Sequence, residues 1–420
     1  MINTVQSDPV QSKVKLQPIL TAVMVGFFVT TLAHPRHIGT LPVQFLLKTY
    51  FHVKPLEMAG FFAVIAIPWY FKPLAGLLSD NVRLLGTQRR HYLLISTAAA
   101  ALLWLALAVV PRQYVVILII LIGLNTMLMS ASTVLGGILV AEGHRYKATG
   151  RLNSARMLVM SAATLIGGPL GGYLASRSLG LCGVIAATLL LIGLFFFMFT
   201  VREPSVMASA ISPWKKMGEQ ARTVLMSRTL WRAAGMLFLL NIAPGFGTPL
   251  FYYQTNALHL TSQVLGTLAL TNGLFGLLGA GTYGLLCRRL PLQRLLVIGI
   301  TLNVVGTLCY LAYRSLAAAL IIEGIYGFTG MLAALPVFDL AARATPTKCE
   351  GVGYAIMMSL MNVSSNFSDV FGSWLFGDHY FSLFELVWLN AGTTVLMLCI
   401  IPFLPQLLVR GSDDEAVVTN

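Results

Sequence analysis

Apolar residues in this chain come in windows too long for strands and without the charged face of a surface helix, and short polar turns separate them. Taking about 20 residues for a helix that crosses the hydrocarbon layer, six windows fall near 18–47, 56–78, 91–110, 114–140, 152–176 and 179–200. Six more fall near 232–256, 263–286, 293–313, 316–342, 352–376 and 384–409. The pattern predicts an all-α polytopic membrane protein with twelve transmembrane helices in two pseudo-symmetric six-helix bundles. The bundles occupy residues 18–200 and 232–409, between terminal tails at 1–17 and 410–420. The hydrophilic segment 201–231, with Pro204, Pro213 and several basic residues, reads as a central loop joining them.

Composition agrees, with 57% hydrophobic and 10% charged residues, against roughly 25% charged in a soluble domain. Basic residues near helix ends are retained on the cytoplasmic side. With both tails inside, 22 of the 28 Lys and Arg are cytoplasmic, only Lys48, Lys54, Arg112, Arg177 and Arg314 are outside, and Arg36 lies within a span. The net charge of +13 is therefore a topology signal and does not argue for a nucleic-acid partner. The first apolar run follows a polar segment and exceeds the roughly 7 to 15 residues of a signal-peptide core, so no cleavable signal is expected. The expected location is the inner (cytoplasmic) membrane of a bacterium, with lipid around a monomer. The five cysteines have no metal-type spacing, and the sequons at Asn362 and Asn366 lie inside a span where no glycan can be added.

Ionisable groups inside spans cost about 2.5 to 3.5 kcal/mol each on insertion scales, so each is a functional candidate. In the first span, Thr30, His34, His37 and Gln44 share a face beside Pro35. Arg36 lies about 200° from His34 in a regular helix, so both can face a cavity only if Pro35 breaks the winding. The other reading makes His34 to His37 a re-entrant or external turn. In the eleventh span Ser359, Asn362, Asn366, Asp369 and Ser373, spaced by 3, 4, 3 and 4, form a polar stripe that either lines a solute path or bonds neighbouring helices. Glu323 in the tenth span, with Tyr326 a turn on, is a proton-carrier candidate beside Asp369; the plainer role is an interfacial carboxylate. In the seventh span Asn241, Thr248, Tyr252 and Asn256 share a face, with Pro244, Gly245 and Gly247 loosening the backbone. Tyr252 and its neighbours either stack on a flat solute or sit at the membrane interface.

The run Pro68 to Arg90 ends the second span with Lys72, Gly76, Asp80, Gly86, Arg89 and Arg90. Charged contacts among them would hold the cytoplasmic side closed in one state and release it in another; the alternative is a solvated topogenic loop. Gly284 to Arg294 copies the shape of this turn, with Cys287 where Asp80 stands, as two related halves would predict.

Gly76-x-x-x-Asp80, a later Gly and paired Arg resemble the signature between the second and third helices of the major facilitator superfamily, with Gly86 six positions after Asp80 where the usual pattern has three. That longer turn, with Trp69, Lys72 and Pro73 before it and Arg89, Arg90 and Tyr92 after it, resembles the folate-biopterin transporter (BT1) family. Further matches are PGFGTPLFYYQTN from Pro244, LPVFDLAARATPTKCEG from Leu335 and YAIMMSLMN from Tyr354. The resemblance implies the major facilitator fold and secondary transport, by alternating access, of a folate, pterin or similar organic anion, with proton symport. It also marks a departure: the family carries acids in its fourth helix, whereas SASTVLGGILVAE from Ser130 has none before Glu142. A flat pterin suits Asn241, Tyr252, Asn362 and Asn366, and glutamyl carboxylates would need Arg36 or protonated His34 and His37. An exporter of drugs or metabolites and a non-transporting receptor or assembly factor remain alternatives. An enzyme is not expected, and no cofactor or metal is implied: the chain has no Ser-His-Asp spacing, metal-ligand cluster or phosphate-cradling glycine loop.

Overall fold

Proline and glycine decide where the long apolar windows become continuous helices and where they break. The computed structural model describes residues 9–82, 84–87, 89–145, 149–201, 213–345, 350–377 and 381–404. Uninterrupted spans are α6 (Arg90–Val109), α7 (Tyr114–Arg145), α8 (Thr149–Ala175), α9 (Leu179–Thr200), α13 (Ser262–Leu286), α15 (Leu316–Arg343) and α16 (Glu350–Gly377). Two others, α14 (Leu292–Leu308) and α17 (Leu383–Met397), run on into tighter 3-10 turns at Cys309–Ala312 and Leu398–Phe403. Eight of these nine segments are long and apolar enough to cross a membrane on length and composition; the polar stripe sets α16 apart.

The first, second and seventh spans are each built in pieces, where the sequence pattern alone predicts single helices. The first is α1 (Pro9–Leu32) and α2 (Thr40–Thr49), with residues 33–39 in turns around Pro35. The second is α3 (Pro55–Ile65), α4 (Ile67–Tyr70) and α5 (Lys72–Asn81), with Pro68 and Pro73 in the opening turns of α4 and α5. A proline has no N–H to give the preceding turn and fits best at a helix start, so each restarts the helix. The seventh is α11 (Arg228–Leu240) and α12 (Gly247–Asn256), interrupted around Pro244 and Gly245. Within the expected N-terminal tail α1 already begins at Pro9, and the expected central loop holds helix α10 (Pro213–Leu225). Residues 1–8 of the first expected tail, the end of the second bundle from 405 and the whole expected tail 410–420 lie outside the described residues.

Irregular backbone at membrane depth is tolerated only where protein satisfies its polar groups. In the first break, Ala33 O accepts from Trp104 Nε1 of α6 at 2.9 Å, and Thr40 Oγ1 donates to Pro35 O at 3.1 Å. In the break of the seventh span, Gly245 N donates to Ser368 O at 2.8 Å, Asn390 Nδ2 to Pro244 O at 2.9 Å, and Ser368 Oγ to Ala243 O. Ser368 of α16 and Asn390 of α17 thus satisfy the broken backbone of the seventh span.

The halves meet through glycines. A Cβ on Gly172 of α8 would fall 2.5 Å from Ser262 O, and one on Gly266 of α13 would fall 2.7 Å from Gly168 O, so the two backbones touch. On the outer side one apolar core runs through both halves, joining Leu47, Met58 and Trp104 to Phe251, Tyr252 and Tyr313. On the cytoplasmic side the halves have separate cores, one around Phe27, Leu135 and Phe197, the other around Leu237, Leu296 and Leu340.

Candidate functional site

Between the halves, where the breaks of the first and seventh spans face each other, lies a cavity of about 570 Å³. The first half contributes Arg36, Thr40, Gln44 and Phe62; the second contributes the break at Gly245 to Thr248 together with Asn272, Tyr310, Glu323, Tyr326, Asn366, Asp369 and Asn390, among others.

Three charged side chains stand in it. Arg36 projects from the turn, and its Nη2 donates to Asn366 Oδ1 at 2.5 Å. Breaking the helix at Pro35 is what turns this guanidinium toward the second half. Asp369 of α16 reaches the first turn of α12: its Oδ1 accepts from Thr248 N at 2.9 Å and its Oδ2 from Thr248 Oγ1 at 2.6 Å. A carboxylate is a favoured acceptor there, because the first N–H groups of a helix have no internal partners and carry partial positive charge. Glu323 of α15 is 8% exposed; its Oε2 accepts from Asn272 Nδ2 at 3.0 Å and its Oε1 from Tyr313 Oη at 3.3 Å. Gln254 Nε2 donates to the same Tyr313 Oη at 2.6 Å. Rings close the space around Glu323: Tyr310 stacks on Tyr313 with centroids 5.3 Å apart, and Phe246 and Tyr326 stand edge-on to Tyr310 at 5.0 and 5.2 Å.

The other expected site residues lie elsewhere. His34 is buried; its Nδ1 accepts from Arg36 N at 3.0 Å and its ring stands 5.1 Å from Trp69, so it shapes the turn that presents Arg36. His37 packs where Gly167 of α8 leaves room for it. Asn241 closes α11, donating to Leu237 O at 2.8 Å, and Asn362 supplies the backbone carbonyl that accepts from Asn366 Nδ2 at 2.8 Å. Tyr252 is on the outer side, its Oη donating to Val53 O and its ring 5.4 Å from Lys48 Nζ.

Around the second span's inner end, Lys72 Nζ lies 5.2 Å over Trp69. Gly76 faces Thr133 of α7. The side chain of Asp80 lies outside the described residues. Leu84 and Thr87 pair across a tight turn in which Leu85 and Gly86 have φ of 48 and 82°, so glycine suits its second position. Arg89 packs on Gly137 of α7, and Arg90 Nη2 donates to Met198 O of α9 at 3.2 Å, contacts within the first half.

Sequence reasoning missed Asn272, Tyr310, Tyr313, Gln254 and Asn390. A lone Asn on apolar α13 was a usable signal; the tyrosines were not, because rings near a span end usually mark the interface.

A broken-helix pair around a polar central cavity, in two six-helix halves, is the architecture of the major facilitator fold. The fold agrees: a structure of the nucleoside transporter NupG superposes with a TM-score of 0.72 over 92% of this chain and 99% of that one, at 12% identity. A D-xylose-proton symporter superposes at 0.68 over 94% and 98%, at 14% identity. The chain itself belongs to the BT1 family, whose profile matches residues 35–417. Relatives include the folate-biopterin transporter of Synechocystis sp., 27% identical over 88% of this chain and 77% of that protein. Folate transporter 1 of Plasmodium falciparum is 22% identical over 80% and 68%. The protein is a multi-pass membrane transporter and not an enzyme.

Proposed function

We propose that this transporter imports a folate or pterin by alternating access coupled to protons, across the inner membrane of a bacterium and as a monomer. The observation that carries this reading is the cavity at the facing helix breaks, in which one guanidinium, two carboxylates and an aromatic wall converge. The names of its relatives support the substrate class. Two bundles at 18–200 and 232–409, linked by 201–231, would rock about this cavity, with Lys72, Asp80, Arg89 and Arg90 acting at the cytoplasmic hinge. Arg36 and Asn366 hold the solute. Import of an anion against the membrane potential needs a co-transported cation, and Glu323 and Asp369 are the carboxylates in the cavity available to take a proton.

Uptake of labelled folate and labelled biopterin into cells that neither make nor import folates tests it, with the unmodified chain, Arg36→Ala and empty vector, each with and without an uncoupler. Saturable uptake that collapses with the uncoupler is expected. Arg36→Ala should depress folate more than biopterin, because only folate carries glutamyl carboxylates for a guanidinium to hold. No uptake of either from protein shown to be in the membrane would overturn the substrate reading and leave the fold untouched.

A further inference from the structure

Two further cations lie between the cavity and the cytoplasmic ends of the helices. Lys72 opens α5 with its Nζ 5.2 Å over the Trp69 ring, and Arg156, early in α8, holds its guanidinium carbon 4.7 Å from the Phe27 ring centroid. Both are partly buried. Arg156 is close enough to Lys72 to oppose its charge, and Tyr354 of α16 lies within electrostatic reach of Arg156, so the group sits where the halves meet. Among the described residues no carboxylate pairs with either cation, and Arg156 Nε is buried without a hydrogen-bond partner. Like charges drawn out of water without a counter-ion are costly, and ring faces offset only part of that cost. Trp69 ties the pair to the cavity. Its Nε1 donates to Asn125 Oδ1 at 3.0 Å, its carbonyl accepts from Ser359 Oγ at 3.3 Å, and its ring stands 5.1 Å from His34 in the turn that presents Arg36.

Resting on the folate reading above, we infer that Lys72 and Arg156 form a second anion site that takes the distal carboxylates of a γ-linked oligoglutamyl tail, so that the chain selects folates with more than one glutamate. A folate with a single glutamate carries two carboxylates, and each γ-linked residue adds one. Arg36, Lys72 and Arg156 make three cations, which a diglutamate matches in number. Arg156 supplies a planar fork for a carboxylate and Lys72 a point charge beside it, with Trp69 and Phe27 fixing where the two heads stand.

The test is competition against labelled folate by folate itself and by its γ-linked diglutamate, on the purified full chain in lipid nanodiscs, with Arg156→Gln, Lys72→Gln and Arg156→Lys as variants. The unmodified protein should prefer the diglutamate by at least about tenfold, the gain expected from one added charge-assisted contact. Arg156→Gln and Lys72→Gln should each bring that ratio near one, and Arg156→Lys should keep part of the preference, because the charge remains and the fork is lost. The ratio cancels a general loss of binding, and either charge-removing variant decides the question alone should the other fail to fold. Cations that serve only the packing of the halves would weaken both folates alike and leave the ratio unchanged. Equal binding of the two folates by the unmodified protein, or an unchanged ratio in the variants, overturns the inference and leaves folate transport standing. Inorganic phosphate that binds the unmodified chain and not the variants, while glutamate number makes no difference, reassigns the pair to a free anion and overturns it too. Binding of biopterin without either folate overturns the inference and leaves a pterin carrier; binding of none of the three overturns both readings.

Discussion

Asp369 has two tasks, facing the cavity and holding the first turn of α12 through Thr248. They separate by substitution. Asp369→Ala removes both acceptors from the helix start, and loss of such a cap costs about 1 kcal/mol, visible as a lower unfolding temperature of the purified protein. Asp369→Asn keeps one acceptor oxygen and gives up the proton. It should abolish uncoupler-sensitive accumulation while solute exchange across the membrane persists; accumulation at the unmodified level would remove Asp369 from the coupling. Arg36 shows how narrowly a residue's role depends on local backbone. Two positions from His34 it would point the other way in a regular helix, and only the turn at Pro35, fastened by Trp104 and Thr40, brings it to Asn366.

At the scale of elements, α13, α14 and α15 pack through glycines in direct contact with backbone. A Cβ on Gly327 of α15 would strike the carbonyl of Asn272 on α13, and one on Gly299 of α14 would strike the Leu332 carbonyl on α15. A backbone atom cannot swing aside as a side-chain tip does, so Gly327→Ala forces α13 and α15 apart, with overpacking costs of typically 1 to 3 kcal/mol. Because Asn272 also holds Glu323, solute binding should fall along with the unfolding temperature. Gly281 on α13 has nothing within 4 Å of its Cβ position, so Gly281→Ala is expected to leave the unfolding temperature unchanged or raise it. Equal effects of the two substitutions in a thermal unfolding series would contradict the packing argument.

Across the whole molecule, one shared apolar core outside and two separate cores inside describe a carrier closed toward the outside. Polar links reinforce that closure. Tyr252 donates to the Val53 carbonyl, Lys48 donates to Thr255 and Asn256, and Phe45 meets Phe251 edge-on at 5.4 Å. Each hydrogen bond is worth about 1 kcal/mol net, so losing all three shifts the balance of outward-open to outward-closed states by about a hundredfold. Tyr252→Phe combined with Lys48→Ala should therefore raise the labelling of Thr40→Cys by a membrane-impermeant thiol reagent added outside. The experiment needs a chain without its five native cysteines. Thr40 lines the central cavity, so labelling that stays at the level of the control with Tyr252 and Lys48 intact would show that these links do not hold the outer side shut.

Hydrophobic length and the placement of Lys and Arg are properties of the chain read in one dimension, so the twelve spans, their division into two sets of six and the cytoplasmic side were legible without coordinates. The same holds for Arg36, Glu323, Asn366 and Asp369 as candidates, because an ionisable or strongly polar group in an apolar window stands out against its neighbours. Which of the candidates meet was not legible. Proline marks where a helix can break, but whether it does depends on partners such as Ser368 and Asn390, which lie more than a hundred residues away and satisfy the freed backbone. The tertiary structure alone separated Arg36 from His34 and His37, sent Tyr252 to the outer side and gathered Asn272, Tyr310 and Tyr313 around Glu323. Those outcomes rest on contacts between distant segments, and periodicity along the chain records faces of helices and not the neighbours those faces will find.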